Sequence, residues 1–333
     1  MATIPIPVSV LNLVPIRIGQ TPKQAIEAMV ELAQAVEKMG YKRYWIAEHH
    51  NTSTLVSSAT SILIKHTLDN TEQILVGSGG IMLPNHAPLV VAEQFGTMAT
   101  IYPNRIELGL GRAPGTDMKT ANALRRSKND SVFTFPEDVH TLLTYFGPKD
   151  QQSYVKAFPG TDTNVPIYIL GSSTDSAYLA ASLGLPYVFA SHFAPRYMEE
   201  AIMIYRDRFQ PSKYLDKPYM IVCLNVIAAE TDHEAEMLST TMQQFFLNVV
   251  RSSQNPLLPP VENMDELWSP MEKEMAESMS SVTLLGSKKT IQQKLLAFQE
   301  KYNVDEIMAV SYIFDPDKQK RSYEIFKEVA DGK

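Results

Sequence analysis

Short apolar runs alternate with amphipathic segments of helical period along most of the chain. Val8–Leu13 has the continuous apolar character of a buried strand. Thr21-Pro22-Lys23-Gln24 follows it and supplies an N-cap residue, a proline at the first helical position and a side chain that can complete a capping box. The pattern therefore predicts a strand and then a helix that ends near Gly40.

The same unit of strand and helix recurs to the end of the chain. The further predicted strands are Tyr44–Ala47, Ile74–Ser78, Ile106–Leu110, Ile167–Leu170, Tyr187–Ala190, Tyr219–Ala228 and Glu306–Val310. The further predicted helices are Ser57–Leu68, Pro88–Ile101, Thr174–Leu183, Pro195–Phe209, Thr231–Asn248 with a capping box of Thr231 and Glu234, Ser287–Tyr302, and a closing helix through Ile325 and Val329.

Eight apolar strands that alternate with helices indicate a parallel sheet covered by helices. At this length the count favours an α/β fold in which the sheet closes into a (β/α)8 TIM barrel. An open, doubly wound sheet is the alternative. Such a sheet normally has a glycine-rich turn after its first strand, and Leu13-Val14-Pro15-Ile16-Arg17 lacks one.

Two connections are too long for simple barrel loops. Residues 113–165 follow the fourth strand, and residues 251–285 follow the helix of the seventh unit. The second insertion carries apolar side chains, Leu257 and Trp268 among them, between acidic residues, so it is the candidate lid. With 333 residues and 44% hydrophobic content, the chain is expected to form a single domain, 1–333.

Charge and composition narrow the classes of partner. The net charge is −7 and there is no run of basic residues, so neither nucleic acid nor an acidic membrane surface is an expected partner. No apolar stretch reaches the ~20 residues that span a bilayer. Cys223 is the only cysteine, which excludes a disulfide within the chain and fits a reducing cytoplasm. We therefore expect a cytoplasmic protein that acts on a small molecule.

In a barrel of this kind, reacting residues lie where strands end. The second strand leads into Glu48-His49-His50, and an imidazole at this position can move protons near neutral pH. A structural histidine bonded to a carboxylate would explain the same residues. No metal site is expected, because adjacent residues of an extended segment point to opposite sides and no third ligand is evident.

Three further strand ends offer features that suit a ligand. Glycines Gly79 and Gly80 follow the third strand and allow close approach to a flat molecule, although a tight turn needs glycine as well. Arg112, after the fourth strand, can clamp a phosphate or pair with a carboxylate. After the sixth strand, His192 and Phe193 are candidates for the substrate pocket, or they pack beneath the lid.

The fifth strand ends in Gly171-Ser172-Ser173-Thr174 and opens a helix. Unpaired N–H groups and hydroxyls there face the positive end of the helix dipole, which favours an anion. Simple N-capping by Ser173 or Thr174 is the competing interpretation. No nucleophile elbow of the Gly-x-Ser-x-Gly type is present, and Cys223 is expected in the core.

Four segments, in this order and spacing, resemble the bacterial-luciferase-like family of flavin-dependent monooxygenases. They are Trp45–His50, Val76–Pro88, Arg105–Arg112 and Gly184–Pro186, and the resemblance spans nearly the whole barrel. Within the family the chain resembles most a branch of luciferase-like oxidoreductases whose substrates the motifs do not specify.

The resemblance implies roles for individual residues. His49 matches the histidine beside the flavin that assists proton transfer, and Gly79-Gly80 matches a position that often has a non-prolyl cis peptide bond. Arg112 and Gly171–Thr174 match positions that hold the FMN phosphate. Gly111 departs from the pattern, because the luciferase catalytic subunit has a reactive cysteine there, so light emission from an aldehyde is not implied.

The activity implied is that of an oxidoreductase which uses reduced FMN as co-substrate and molecular oxygen to oxidise a small organic substrate. The protein would bind the flavin and shield it from water. The resemblance also implies a separate flavin reductase and a homodimer formed through an outer helical face. Three alternatives stay open: a deazaflavin-dependent hydride-transfer enzyme, a barrel that binds flavin without catalysis, and a metal-dependent hydrolase on the same fold.

Overall fold

The computed structural model describes residues 5–113, 117–124 and 134–333. Its strands are β1 Val8–Asn12, β2 Arg43–Ile46, β3 Leu75–Met82, β4 Ile106–Gly111, β5 Ile167–Gly171, β6 Tyr187–Phe189, β7 Met220–Ala229, β8 Thr283–Ser287 and β9 Glu306–Val310. Its helices are α1 Pro22–Lys38, α2 Thr60–Asp69, α3 Pro88–Ile101, α4 Met118–Leu124, α5 Phe135–Phe146, α6 Thr174–Leu183, α7 Met198–Arg208, α8 Asp232–Val250, α9 Pro270–Met279, α10 Lys288–Tyr302 and α11 Pro316–Ala330.

The strands pair in parallel and close on themselves. Strands β1 to β6 pair in sequence, β6 pairs with β7, β7 with β9, and β9 returns to β1. Helices cover the outside. Strands β1 to β7 and β9 form the closed barrel and correspond to the eight strands predicted from the apolar runs. The predicted TIM barrel is therefore confirmed. Among the described residues, no helix is long and apolar enough to cross a membrane.

Strand β7 is longer than its neighbours and leaves the barrel halfway along. Residues 221–225 pair with β9, and residues 225–229 pair with the additional strand β8. The sequence pattern placed β8 inside the second insertion, without regular structure. That interpretation was wrong, because β8 is short and its pairing depends on the free half of β7.

Side-chain contacts at the helix starts decide where each helix begins. Thr21 and Gln24 form the predicted capping box of α1. At α8 only half of the predicted box forms, since Thr231 accepts from the Glu234 N–H while the Glu234 carboxylate accepts from the Glu230 N–H instead. Helix α2 begins at Thr60 and not at Ser57, because Ser57 is buried and its main-chain oxygen accepts from the His49 N–H.

The first insertion contains regular structure that the pattern did not predict. Helix α5 buries Leu142 and Phe146 and packs against α3. Gly96 of α3 and Gly160 lie so close that an added Cβ on Gly96 would be 2.2 Å from the Gly160 Cα. Only small residues allow this contact, so the insertion is fixed to the outside of the barrel.

The second insertion crosses the C-terminal end of the barrel. The Leu257 N–H donates to the Ile16 carbonyl and the Ile18 N–H donates to the Leu257 carbonyl. Two side chains of α8 add bonds: the Thr241 hydroxyl donates to the Leu258 carbonyl and the Gln244 amide to the Pro259 carbonyl. These bonds hold residues 253–261, which we call the cover segment, over the barrel end.

Apolar side chains fill the barrel interior above a charged floor. Leu11, Trp45, Cys223 and Met308 belong to the interior cluster. At the N-terminal ends of the strands, the buried Arg43 guanidinium contacts Glu107 at 2.9 Å and Glu306 at 3.1 Å. Tyr168 and Trp45 both donate to Glu107, so each charge has several partners. Removing one partner would leave a buried charge without compensation, so these residues stabilise the N-terminal end of the barrel.

Candidate active site

His49 lies at the end of the barrel opposite to the charged floor and faces inward. Trp45 and Ala47 of the same segment point into the barrel, whereas Tyr44 and Ile46 pack outward against the helices. His49 continues this alternation. Its Nδ1 atom is closed to solvent and pairs with no described residue. Burial lowers the pKa of His49 to about 4, and the nearby Glu48 carboxylate offsets only part of this, so the imidazole is uncharged at neutral pH.

A second imidazole, this one fully buried, lies near the first. His192 follows β6, and its Nδ1 atom is also without a partner among the described residues. Burial and the proximity of the His49 ring lower the pKa of His192 to about 3. An unpaired polar atom in the interior costs roughly 1–3 kcal/mol. Two such atoms at one barrel end indicate a place where a ligand supplies the missing hydrogen bonds.

Glu48 and His50 form a cluster with His86. The Nε2 atoms of both imidazoles lie 2.8 Å from the same Glu48 oxygen, and the Met82 N–H donates to the other oxygen. Burial alone would raise the pKa of Glu48, but the hydrogen bonds from His50 and His86 lower it to about 2. The cluster ties the loops after β2 and β3 together and so fixes the segment that carries His49.

The sequence did not reveal the third member of this cluster. Glu48, His50 and His86 have donor atoms close enough together to suit a metal ion, and His86 lies far from the other two along the chain. His49 and His50 line the same cavity at the barrel mouth, and His86 supplies the third ligand atom that the sequence did not show. The hydrogen bonds within the cluster account for its geometry without an ion.

Gly79 and Gly80 lie within β3, and not after it as the sequence predicted, and they pack against the protein itself. The peptide bond between Gly79 and Gly80 is cis, as the family resemblance implied. A Cβ added to Gly79 would be 2.4 Å from Leu11 Cδ1, and one added to Gly80 would be 2.8 Å from the Gly109 carbonyl oxygen. The missing side chains therefore serve packing within the barrel wall, and a ligand can meet only the main chain here.

Arg112 and the turn 171–174 lie at neighbouring strand ends. Strands β4 and β5 pair with Gly111 opposite Leu170, so the two strand ends are neighbours. The Arg112 guanidinium contacts Asp175, in the first turn of α6, at 3.0 Å. Ser173 is the N-cap residue of α6, yet its hydroxyl makes no capping hydrogen bond. The first-turn N–H groups of a helix start suit an anion, while the Arg112 guanidinium pairs here with a carboxylate, the alternative that the sequence left open.

A cavity of about 390 Å³ opens beside His49 at the barrel mouth. Its lining is largely polar and includes Asn51, Thr54, Asn248 and Gln254, with Leu13, Leu55 and Phe245 as apolar members. The Gln254 amide of the cover segment donates to the Asn51 carbonyl, which closes one side. A larger cavity, of about 680 Å³, lies on the outside between α2 and α3, away from these groups.

Phe193 does not share the cavity of His49. The two rings of His192 and Phe193 meet edge to face at 4.8 Å, but His192 is buried while Phe193 is partly exposed. Phe193 lines a separate cavity of about 460 Å³ with residues of α7 and α9. Neither His192 nor Phe193 lines the cavity beside His49, so their joint assignment to the substrate pocket stays a prediction.

Two features of the interior bear on the sequence interpretation. Cys223 lies in the barrel interior, where burial raises the pKa of its thiol well above the ordinary value, which agrees with the expected core role. Asn225, two residues further along β7, is fully buried and donates to the His192 carbonyl. The sequence did offer a signal for it, since Asn225 is the one polar side chain that interrupts the apolar strand Met220–Ala229.

The chain is similar to known proteins over nearly its whole length. The family model of the luciferase-like monooxygenases matches residues 7–303. YddN of Bacillus subtilis strain 168 is 51% identical over 324 residues, which cover 97% of this chain and 96% of that protein. A luciferase-like monooxygenase of Escherichia coli strain K12 is 46% identical, with 96% of each chain covered.

Solved structures show the same fold. Apo-MsnO8 superposes with a TM-score of 0.86 at 30% identity and covers 97% of this chain and 98% of its own. The oxygenating constituent of 3,6-diketocamphane monooxygenase from Pseudomonas putida, a type II Baeyer-Villiger enzyme in complex with FMN, superposes with a TM-score of 0.73. Its identity is 16% with 99% of each chain covered, so it is similar in fold alone.

Proposed function

The chain belongs to the luciferase-like monooxygenase family, and from this membership we propose that it is an FMN-dependent monooxygenase. It would use reduced FMN and molecular oxygen to oxidise a small organic substrate. The observation that carries the proposal is the half-buried, uncharged imidazole of His49 at the barrel mouth, whose solvent-closed Nδ1 atom has no partner among the described residues.

The residues at the mouth fit FMN at both of its ends. Arg112 and the start of α6, from Gly171 to Thr174, would hold the phosphate. The unpaired Nδ1 atoms of His49 and His192 would face the polar edge of the ring system. When bound, the flavin supplies the electrons for the reaction with oxygen, and the protein supplies binding, orientation and exclusion of water.

His49 would handle a proton at its Nδ1 atom. A neutral imidazole can accept a proton there or donate one, depending on its tautomer. The Glu48 cluster holds the adjacent main chain, so the ring has a defined position. Two features would keep water away: the cover segment, and the stacked rings of Phe245 and Tyr312, whose centroids are 4.4 Å apart.

The proposal extends to partners and setting. None of the described residues forms a second nucleotide-binding fold, so we propose that a separate reductase supplies the reduced flavin. We also propose that two copies form a homodimer through the outer faces of α2 and α3 and that the protein is cytoplasmic. The cover segment would open as a lid. The substrate would be a small molecule of a size that suits the mouth cavity, about 390 Å³.

The first test is an anaerobic titration with photoreduced FMN, followed by rapid mixing with oxygenated buffer. Binding should change the rate at which reduced FMN is reoxidised. His49→Asn should leave the affinity within about threefold but change the reoxidation rate at least about tenfold, because a positioned proton carrier is lost. His140→Asn, on the exposed face of α5, is the control and should match the wild type. Reoxidation at the rate of free FMN, with no binding, would overturn the proposal.

The same measurements separate the alternatives. Anaerobic hydride transfer to a deazaflavin, with no binding of FMN, would indicate the deazaflavin-dependent enzyme. Tight binding of oxidised FMN without any effect on reoxidation would indicate a flavin-binding barrel that does not catalyse. Stoichiometric metal in the purified protein, with loss of hydrolytic activity on chelation, would indicate the hydrolase.

A further inference from the structure

Asn225 is a polar side chain inside an otherwise apolar strand. It lies where β7 stops pairing with β9 and starts pairing with β8, opposite Val310 on one side and Thr283 on the other. It is fully buried. Cys223 and Ile227, two residues away in each direction, belong to the interior cluster, so Asn225 also points into the barrel.

The two polar atoms of the Asn225 amide have different environments. The Nδ2 atom donates to the main-chain oxygen of His192 at 2.7 Å. The Oδ1 atom is closed to solvent and accepts no hydrogen bond from the described residues. One half of the amide therefore holds the segment that carries His192, and the other half is an acceptor without a donor.

The unpaired Oδ1 atom belongs to a connected set. Asn225 bonds the main chain of His192, and the ring of His192 lies near that of His49. Each of these three side chains has a buried polar atom without a partner among the described residues. An amide oxygen is only an acceptor, whereas the Nδ1 atom of a neutral imidazole can be a donor or an acceptor.

We infer that Asn225 is a further residue of this site: its Nδ2 group positions the His192 segment, and its Oδ1 atom accepts the imide N–H of the flavin ring. The inference rests on the proposed function. The polar edge of a flavin carries one N–H between two carbonyl groups, so it needs one acceptor flanked by donors. Asn225 supplies the acceptor, and the neutral imidazoles of His49 and His192 are available as donors.

Gln152 provides a matched control within the same chain. Its buried amide donates to the carbonyls of Tyr145 and Gly147, and its Oε1 atom has no partner among the described residues. It lies in the first insertion and does not face the barrel mouth. Asn225→Leu and Gln152→Leu thus remove the same groups from two places, and only the first should alter the binding of flavin.

The experiment compares photoreduced FMN with photoreduced N3-methyl-FMN, which lacks the imide N–H, in anaerobic titrations. We expect the wild type to bind FMN about tenfold more tightly than the methylated flavin, the loss of one buried hydrogen bond. Asn225→Leu should bind both flavins at the weaker level, and the absorbance spectrum of its bound flavin should differ from that of the wild type. Gln152→Leu should retain the full difference.

The outcomes distinguish this inference from the function on which it rests. If the wild type binds neither flavin, the proposed function fails. If it binds both with equal affinity, or if Asn225→Leu keeps the tenfold difference, the proposed function stands and the role of Asn225 is overturned. The wild-type comparison needs no variant, so it decides the matter even where Asn225→Leu does not fold.

Discussion

The Nδ1 atoms of His49 and His192 are closed to solvent and have no partner among the described residues, so protonating either ring opposes folding. Burial lowers their pKa values to about 4 and about 3, from an ordinary value of 6.5. Below pH 6.5 the unfolded chain therefore binds more protons than the folded one. The free energy of unfolding should therefore be highest above pH 6.5. As the pH falls below 6.5, it should decrease by about 1.4 kcal/mol per pH unit for each histidine, until the pH reaches the pKa of that histidine in the folded state.

His192→Asn tests this dependence on pH. Between pH 7.5 and pH 5 the wild type should lose about 2 kcal/mol more free energy of unfolding than the variant, measured by urea denaturation at both values. Glu48 does not contribute in this window, because its pKa is lowered to about 2 and its stabilisation is lost only below its ordinary value of 4.5. His233→Asn, at an exposed position of α8, is the control. Equal losses in the wild type and His192→Asn would contradict the prediction.

Arg112 should discriminate FMN from riboflavin. Arg112→Ala removes a charged hydrogen-bond donor beside the start of α6, so the affinity for FMN should fall about 10- to 100-fold while that for riboflavin stays the same. Arg321 is a close match, since it pairs with Glu230 and is 39% exposed, as against 41% for Arg112. Arg321→Ala should leave both affinities unchanged. An equal loss for FMN and riboflavin in Arg112→Ala would show that Arg112 does not contact the phosphate.

The sequence predicted those residues whose role follows from their place at a strand end. His49, Arg112 and the turn 171–174 follow strands directly, and the order of strands in a barrel makes them neighbours. The partners Asn225 and His86 could not be assigned in the same way. Asn225 interrupts an apolar strand, which marks it as unusual, but its hydrogen bond to the His192 carbonyl cannot be predicted from local sequence. The Glu48 carboxylate that His86 shares with His50 is equally distant in sequence.

At the scale of a single element, β4 contains two glycines, Gly109 and Gly111, that differ in how much space they leave for a side chain. A Cβ added to Gly109 would be 2.2 Å from the Ser78 main-chain oxygen, which cannot move without breaking the barrel wall. A Cβ added to Gly111 would be 3.0 Å from the Met82 sulfur, at the end of a flexible side chain. Gly109→Ala should lower the free energy of unfolding by at least about 2 kcal/mol and Gly111→Ala by less than about 1 kcal/mol.

Urea denaturation of the two variants checks this difference, and each serves as the control for the other. Both replacements add one methyl group to the same strand, on the same face, so they differ in surroundings and not in propensity for β structure. A greater loss at Gly111 would show that Met82 is rigid. In that case, packing against Met82 would explain why this chain has glycine at position 111, where the luciferase catalytic subunit has a cysteine.

Helices and strands were predictable where a long periodic pattern met a clear boundary. Helices α3 and α6 match their predicted bounds, since Pro88 and Gly184 mark ends that follow from main-chain geometry alone. Helices α5 and α9 and strand β8 were missed because each is stabilised by one particular neighbour. Helix α5 packs on α3, α9 packs on α8, and β8 pairs with the part of β7 that has left the barrel.

At the scale of the whole molecule, the outer faces of α2 and α3 expose apolar side chains. Ile62 is 68% exposed and Ile101 is 54% exposed, and the cavity of about 680 Å³ between the helices is lined partly by Ile26, Ile62 and Met98. Exposed apolar groups that adjoin a groove favour association. Helix α3, with 14 residues, is about 21 Å long, which suits packing against the same helix of a second copy.

Ile62→Glu with Ile101→Glu should therefore convert a dimer into a monomer, because a carboxylate buried at a symmetric interface meets its own copy across the axis. Sedimentation velocity measures the change. Met203→Glu on α7 is the control, since Met203 is 53% exposed and lies on another face. None of the three residues lines the mouth cavity, so each variant should still bind reduced FMN. A wild type that sediments as a monomer would contradict the homodimer, and unchanged dimerisation of the double variant would place the interface on another helical face.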